Sequence, residues 1–275
     1  MNIGCVYTVD TYFQVDKPFS SATEIPFGIS IIMTVLEQRG HNVELFVITP
    51  ETDLDTTVSN YILTHKPKLF CYTAVTTQYW QVKRVANHVK KLNNEIFNVL
   101  GGHHASLDSD QVIKEGVFDA ICVGEGESAI IELAENVANF STYNHINPIN
   151  NLWYFDRGKN NVIKNQSASF RQDLDELPYI NRNIWDKWID NPSDYPAILL
   201  GRGCPFKCTY CANHAMAKIA DGKYTRFRSP ENIVGEIENI LKNYDNVERI
   251  YLEVETFGAN RKASFAIFDK LAEFN

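Results

Sequence analysis

Three cysteines, Cys204, Cys208 and Cys211, lie within a stretch of eight residues. Cysteine thiolates are the usual ligands of iron–sulfur clusters, and a cubane cluster has four iron corners. Three cysteines would hold three corners and leave one iron open, and an open iron can chelate a small molecule through an amine and a carboxylate. Gly201 and Gly203 precede the first cysteine and allow the backbone to approach such a cluster closely.

A zinc site is the alternative for these cysteines. With His214 they form a Cys₃His set, which is a known ligand set of structural zinc. Zinc motifs usually pair two CxxC-like halves, whereas this spacing is CxxxCxxC. A disulfide is disfavoured, because the sequence has no secretory signal and indicates a reducing, cytoplasmic location. The spacing favours an iron–sulfur cluster and leaves the zinc site open.

The composition argues against several classes of partner. Of the 275 residues, 44% are hydrophobic and 22% are charged, which is typical of a globular protein, and the net charge is −8. No run of Lys and Arg supports nucleic-acid binding. The longest apolar runs, such as Ile29–Met33, are too short to span a bilayer. We therefore predict a cytoplasmic protein with neither a nucleic-acid nor a membrane partner.

Strand and helix patterns alternate in the first half of the chain. Short apolar runs predict strands at Asn2–Tyr7, Asn42–Ile48, Lys68–Tyr72, Ile96–Leu100 and Ala120–Val123. Amphipathic segments predict helices at Phe27–Arg39, Asp53–Thr64, Gln78–Leu92 and Glu127–Ala138. This alternation predicts an α/β fold with a doubly wound, Rossmann-like parallel sheet, in which the loops after the strands gather at one ligand-binding edge.

The chain divides into three predicted parts. Residues 1–140 form the sheet domain, and 141–195 form a linker that contains a hairpin of Leu152–Phe155 and Asn161–Lys164. Residues 196–275 begin with the strand Ala197–Leu200, which leads into the cysteine loop and is followed by helix, strand and helix. A complete TIM-type barrel takes roughly 250 residues, so we expect only the first part of a barrel and hence a fragment of a longer protein.

Three loops at predicted strand ends carry glycines and small or polar side chains. Adjacent glycines let a bulky ligand lie against bare backbone, hydroxyls add hydrogen bonds, and helix N-termini favour anionic groups. We therefore predict a cofactor site at the sheet edge. Its residues are Thr73, Thr76, Gly101, Gly102, His104, Gly124, Glu125 and Gly126.

The CxxxCxxC spacing, with Tyr210 just before the last cysteine, resembles the radical S-adenosylmethionine (SAM) superfamily. With the GGHHAS and GEGE segments upstream, the chain resembles the class B radical SAM enzymes, in which a cobalamin-binding domain precedes a radical SAM barrel. The resemblance implies a [4Fe–4S] cluster on Cys204, Cys208 and Cys211, whose open iron binds SAM, and cobalamin on the loops of residues 1–140. Tyr210 and Glu255 are the implied SAM contacts, although Val254 and Glu255 stand where relatives often carry an Asp pair.

The same resemblance implies a reaction. Reduction of the cluster would cleave SAM to methionine and a 5′-deoxyadenosyl radical, which abstracts hydrogen from a small-molecule or natural-product substrate. Methyl transfer to an unactivated carbon is the expected outcome, with cyclisation known among relatives, and flavodoxin or ferredoxin is the expected electron donor. The alternative is a truncated corrinoid- or nucleotide-binding module without catalysis.

The histidines and the remaining cysteines give two further expectations. None of the seven histidines has Asp two positions earlier, so the D-x-H-x-x-G motif is absent and no histidine should ligate the lower face of cobalt. His104 would then be a wall or hydrogen-bonding residue. Cys5, Cys71 and Cys122 fall on predicted strands and should be buried as small hydrophobes.

Overall fold

The computed structural model describes residues 1–139, 148–156 and 158–274, so the start of the predicted linker lies outside the described residues. The described strands are, in chain order, β1 (Asn2–Thr8), β2 (Phe19–Ser21), β3 (Asn42–Ile48), β4 (Leu69–Thr73), β5 (Phe97–Gly101), β6 (Ala120–Cys122), β7 (Leu152–Asp156), β8 (Asn161–Lys164), β9 (Ile189–Asn191), β10 (Ala197–Leu199), β11 (Gly201–Arg202), β12 (Arg226–Phe227) and β13 (Tyr251–Glu253).

The described α-helices are α1 (Phe27–Gln38), α2 (Asn60–His65), α3 (Tyr79–Leu92), α4 (Gly102–Leu107), α5 (Ser109–Lys114), α6 (Glu127–Asn139), α7 (Asn213–Met216), α8 (Pro230–Asn243) and α9 (Arg261–Phe274). The helix predicted at Asp53–Thr64 is in fact a wide π-type segment, Asp55–Ser59, that continues into α2. None of the described helices is long and apolar enough to cross a bilayer.

The main sheet has the strand order β3-β1-β4-β5-β6-β7-β8. The pairs from β3 to β6 are parallel, which confirms the predicted α/β sheet. The hairpin β7–β8 extends the same sheet in antiparallel fashion at the β6 edge, so the complete sheet is mixed. The apolar pattern predicted the hairpin but carried no information about the strand that it would join.

Alternate residues of the central strands face two separate cores, as a doubly wound sheet requires. Cys5 lies in the core beneath α1 and α6, whereas its neighbour Val6 lies in the core beneath α2, α3 and α5. The chain segment that follows the hairpin packs on the first of these cores. Trp185 is fully buried there and donates a hydrogen bond from Nε1 to Ser30 Oγ at 2.9 Å.

The C-terminal part contains two strand–helix units, the pattern predicted for the start of a barrel, and we call this part the barrel start. Strands β10 and β13 pair in parallel, and α8 and α9 cover them through a core that includes Ile198, Ile233 and Ile267. Strands β11 and β12 form a short antiparallel clamp at the start of the cysteine loop, with Arg202 opposite Arg226. This clamp fixes the backbone immediately before Cys204.

Candidate functional site

A cleft of about 360 Å³ lies between the carboxyl ends of the parallel strands and the start of the barrel. In open α/β sheets, ligands bind at this edge of the strands. Seven of the predicted site residues line the cleft, namely Thr73, Gly101, Gly102, Gly124, Glu125, Gly126 and Glu255. The opposite wall comes from the barrel start and includes Arg202, Gly203, Tyr224, Arg226 and Glu253. The three loops of the sheet domain therefore meet on one wall of a cleft that both parts of the chain share.

Gly102 shows why the loop after β5 presents bare backbone. Its φ is +90°, and a Cβ at this position would lie 2.6 Å from Thr73 Oγ1 and 2.9 Å from the carbonyl oxygen of Ala74. A residue with a side chain would be strained by both the backbone conformation and the contact. The glycine lets the β4 and β5 loops pack together and leaves a smooth wall, which fits a bulky planar cofactor.

Thr76 and His104 lie behind this wall. Thr76 Oγ1 is 3.2 Å from His104 Nδ1, and the His104 ring packs on Tyr79 with the ring centroids 4.2 Å apart. Burial lowers the pKa of His104 from its ordinary value of about 6.5, so the ring is neutral at pH 7. These two residues support the loops, and their contact with a cofactor stays a prediction.

The cysteine loop lies between β11 and α7. Gly203 and Met216, on either side of the three cysteines, line the cleft, whereas the cysteines themselves do not. Cys204 and Cys211 are half-buried and Cys208 is exposed. Thr256 Oγ1 lies 2.9 Å from Cys204 Sγ, and Asn213 Nδ2 donates to Cys211 Sγ at 3.5 Å. Tyr210 is 92% exposed and does not line the cleft, so its contact with SAM also stays a prediction.

The donor set of this loop fits an iron–sulfur cluster. A cubane binds each thiolate to a different iron, and the three thiols of the loop could each supply one such ligand. Within residues 1–139, 148–156 and 158–274, no group of three His, Cys, Asp or Glu side chains is already arranged around one point.

Asn213 joins the cysteine loop to the end of β13. Its Nδ2 also donates to Glu255 Oε2 at 3.1 Å, and its Oδ1 accepts from the Tyr224 hydroxyl at 2.6 Å. Burial raises the pKa of Tyr224 to about 12, which keeps that hydroxyl protonated as a donor. Burial and the Glu255 charge raise the pKa of the adjacent Glu253, which also faces the cleft. Neither Asn213 nor Tyr224 belongs to a local motif, so the sequence alone does not mark them as site residues.

The other three cysteines are core residues, as predicted. Cys5 and Cys71 are register partners on adjacent strands, and Cys122 is buried on β6. A hydrogen bond with Cys71, together with burial, raises the pKa of Cys5 well above its usual value, and burial raises the pKa of Cys122 to about 12. Cys5 and Cys122 are therefore protonated thiols at neutral pH and unsuited to bind metal.

Glu125 faces two arginines of the barrel start. Arg202 donates from Nη1 to Glu125 Oε1 at 3.0 Å and from Nη2 to Glu127 Oε1 at 2.6 Å, and Arg226 Nη1 lies 2.9 Å from Glu125 Oε1. Burial raises the pKa of Glu125, but the two guanidinium charges and the Arg171 amide outweigh it and lower the pKa overall. Glu125 was predicted as a cofactor contact, whereas Arg202, Arg226 and Glu127 were not predicted as site residues. The sequence offered one signal for this group of ion pairs, namely that Arg202 stands directly before Gly203 and Cys204.

Two family models match the two parts of the chain. Residues 21–134 match the B12 binding domain, and residues 198–273 match the radical SAM superfamily. The first match contains the three loops on one wall of the cleft, and the second contains the cysteine loop and β13.

Relatives and solved structures agree with these matches. The chain is 30% identical to the anaerobic magnesium-protoporphyrin IX monomethyl ester cyclase of Rubrivivax gelatinosus, over 80% of this chain and 40% of the cyclase. It is 25% identical to an uncharacterized methyltransferase of Pyrococcus horikoshii, over 91% of this chain and 53% of the relative.

Among solved structures, the radical SAM methyltransferase TsrM of Kitasatospora setae, with tryptophan and a SAM analogue bound, superposes with a TM-score of 0.72 at 15% identity. The superposition covers 99% of this chain and 51% of TsrM. TsrM has also been solved with cobalamin and a [4Fe–4S] cluster bound. This chain thus spans about half the length, or less, of the proteins that it matches.

Proposed function

The chain belongs to the radical SAM proteins that carry a B12-binding domain, and we propose that it forms the cofactor-binding part of a cobalamin-dependent methyltransferase. The shared cleft carries this proposal, because it puts the B12-domain loops and the approach to the cysteine loop on facing walls. Both cofactors could therefore reach one substrate held between the two walls. Similarity to one named methyltransferase and one structural neighbour of that activity supports methyl transfer.

Cobalamin, when bound, would supply a cobalt centre that can relay a methyl group. The residues proposed to hold it are those of the glycine-rich wall: Thr73, Gly101, Gly102, Gly124 and Gly126. Their backbone would lie against the corrin, and the Thr73 hydroxyl would donate a hydrogen bond. Thr76 and His104 would keep the β4 and β5 loops in place from behind.

A [4Fe–4S] cluster, when bound, would supply the single electron that cleaves SAM. Cys204, Cys208 and Cys211 are its proposed ligands, and the absence of a fourth cysteine on the loop leaves one iron for the SAM amine and carboxylate. Glu255, which lines the cleft and is held by Asn213, is the proposed SAM contact on the barrel side. Tyr210, which directly precedes Cys211, is the proposed contact with the adenine.

A cyclase is the second candidate function, favoured by the 30% identity to a cyclase. The two reactions differ in how SAM is consumed. Methyl transfer would use one SAM as methyl donor, leaving S-adenosylhomocysteine, and a second as radical source, leaving methionine and 5′-deoxyadenosine after hydrogen abstraction. Cyclisation would leave only methionine and 5′-deoxyadenosine. The proposed substrate is a small molecule or natural product, and the proposed electron donor is flavodoxin or ferredoxin.

SAM turnover tests the enzyme against the binding module. The anaerobically reconstituted chain, given SAM and dithionite, is expected to form 5′-deoxyadenosine, and S-adenosylhomocysteine as well when cobalamin is present. Cys208→Ala should form neither product, and Cys122→Ala should behave as wild type because that thiol is buried in the sheet. An intact cluster without 5′-deoxyadenosine would support a binding module without catalysis.

The lower face of cobalt gives a spectroscopic prediction. Because no histidine has the D-x-H-x-x-G context, bound cob(II)alamin should be base-off with no protein nitrogen on cobalt. His104, the buried histidine of the loop wall, is already 3.2 Å from Thr76. Electron paramagnetic resonance (EPR) of the cob(II)alamin form should show no axial nitrogen splitting. A three-line nitrogen splitting that disappears in His104→Ala would contradict this expectation.

A further inference from the structure

Four charged residues join the two walls of the cleft, and we call them the interdomain cluster: Glu125, Glu127, Arg202 and Arg226. The two carboxylates come from the loop after β6 and the first turn of α6, and the two guanidinium groups come from the clamp β11–β12. The interdomain cluster therefore contains two negative and two positive side chains.

The interdomain cluster is buried more deeply than an ordinary surface ion pair. The side chain of Arg226 is 4% exposed, that of Glu127 is 8% exposed, and those of Arg202 and Glu125 are below one-fifth. Ion pairs withdrawn from water are weakly screened, and losing one partner leaves an uncompensated buried charge. The buried ion pairs of the interdomain cluster therefore favour one geometry, in which every charge keeps its partner.

Each end of the interdomain cluster is fixed to a proposed cofactor site. Glu125 lies between Gly124 and Gly126, which line the cobalamin wall. Arg202 lies two residues before Cys204, and Gly203 between them packs closely on Tyr224, since a Cβ there would lie 2.4 Å from the Tyr224 carbonyl oxygen. That same oxygen accepts a hydrogen bond from Arg226 Nε at 3.0 Å. A displacement of Arg202 would thus move Cys204.

We propose that Arg202 is a positioning residue that sets the separation between cobalamin and the iron–sulfur cluster. This inference rests on the proposed function, because it assumes both cofactors. The Arg202 guanidinium binds two carboxylates at once, with Nη1 donating to Glu125 and Nη2 donating to Glu127. A planar fork makes both bonds in one orientation, whereas the single ammonium of lysine cannot reproduce that geometry. Charge alone is therefore insufficient at this position.

The magnetic coupling between the two cofactors tests the proposal without reference to activity. Cob(II)alamin and the reduced cluster are both paramagnetic, and their dipolar coupling falls with the inverse cube of their separation. Wild-type chain loaded with both should show a resolved splitting of the cob(II)alamin EPR signal. Arg202→Ala and Arg202→Lys should each lose that resolved splitting, while iron content and bound cobalamin stay at wild-type levels.

Arg39→Ala is the matched control. It removes an ion pair with Glu135 at 3.5 Å, in which both side chains are about half-exposed and which lies within the sheet domain. The splitting should be unchanged in this variant. If Arg202→Ala fails to load its cofactors, Arg202→Lys decides the outcome, because it keeps the positive charge.

Two results would contradict the positioning role, and a third would contradict the proposed function. A wild-type splitting retained in fully loaded Arg202→Lys would overturn the positioning role of the fork. A wild-type chain that binds both cofactors without any splitting would also overturn it, because the cofactors would then be too far apart to be positioned by the interdomain cluster. A wild-type chain that binds neither cofactor would instead contradict the proposed function.

Discussion

Replacing Cys204, Cys208 or Cys211 by alanine is expected to abolish assembly of a stable [4Fe–4S] cluster. Each thiolate holds one iron, and the open corner provides no spare protein ligand. The measurement is iron and sulfide content together with the broad visible absorption after anaerobic reconstitution. Cys5→Ala, Cys71→Ala and Cys122→Ala are the matched controls, since these thiols are buried in the sheet. They should keep the cluster and lose on the order of 1 kcal/mol of stability.

His214 separates the two metal hypotheses in the same experiment. It follows Cys211 by three residues and would be the fourth ligand of a zinc site. If His214→Ala keeps its iron and its visible absorption, the three-cysteine cluster is supported. If His214→Ala loses metal as completely as Cys211→Ala, the Cys₃His zinc site is supported and the cluster proposal is wrong.

Gly203→Ala is expected to lower cluster content several-fold, although it changes no ligand. The φ of Gly203 is +79°, and a Cβ there would lie 2.4 Å from the carbonyl oxygen and 2.9 Å from Cδ1 of Tyr224. The left-handed backbone alone costs about 1–2 kcal/mol for a residue with a side chain. The contact adds to this cost, and relieving it requires the backbone at Gly203 and Tyr224 to move apart. Iron per chain and unfolding temperature measure the two effects.

Gly40→Ala is the control for backbone strain alone. Gly40 follows α1 with φ +77°, and a Cβ there would meet nothing within 4 Å. This variant should lose about 1 kcal/mol of stability and keep all its iron. A Gly203→Ala protein with full iron and the same stability as Gly40→Ala would show that the cysteine loop does not depend on the close contact with Tyr224.

Local sequence patterns were sufficient to predict the strands and helices of the parallel sheet. The apolar runs around Cys5, Cys71 and Cys122 alternate with amphipathic helices, and this periodicity is sufficient for a parallel sheet with its loops at one edge. The joining of β7 to β6 could not be predicted, because strand pairing depends on a surface that forms only after the chain folds. For the same reason, the hydrogen bond from Trp185 to Ser30 could not be predicted.

The candidate site shows the same division between local and distant information. Glycines such as Gly102 and the cysteine spacing are visible in the sequence because backbone conformation and metal ligation impose residue types at short range. The ion pair of Glu125 with Arg226 joins residues about a hundred positions apart. Neither residue carries a local mark of that contact. The exposed Tyr210 and the supporting role of His104 likewise depend on which way each side chain points after folding.

Iron analysis with Mössbauer spectroscopy of the reconstituted chain, with and without SAM, tests the central claim most directly. Three-cysteine ligation predicts about four irons per chain, one of which changes its environment when SAM binds to the open corner. Cobalamin need not be present, so the result depends only on the cysteine loop and the SAM contacts. Stoichiometric zinc without iron, or four irons that SAM leaves unchanged, would contradict the proposal that this loop holds a SAM-binding cluster.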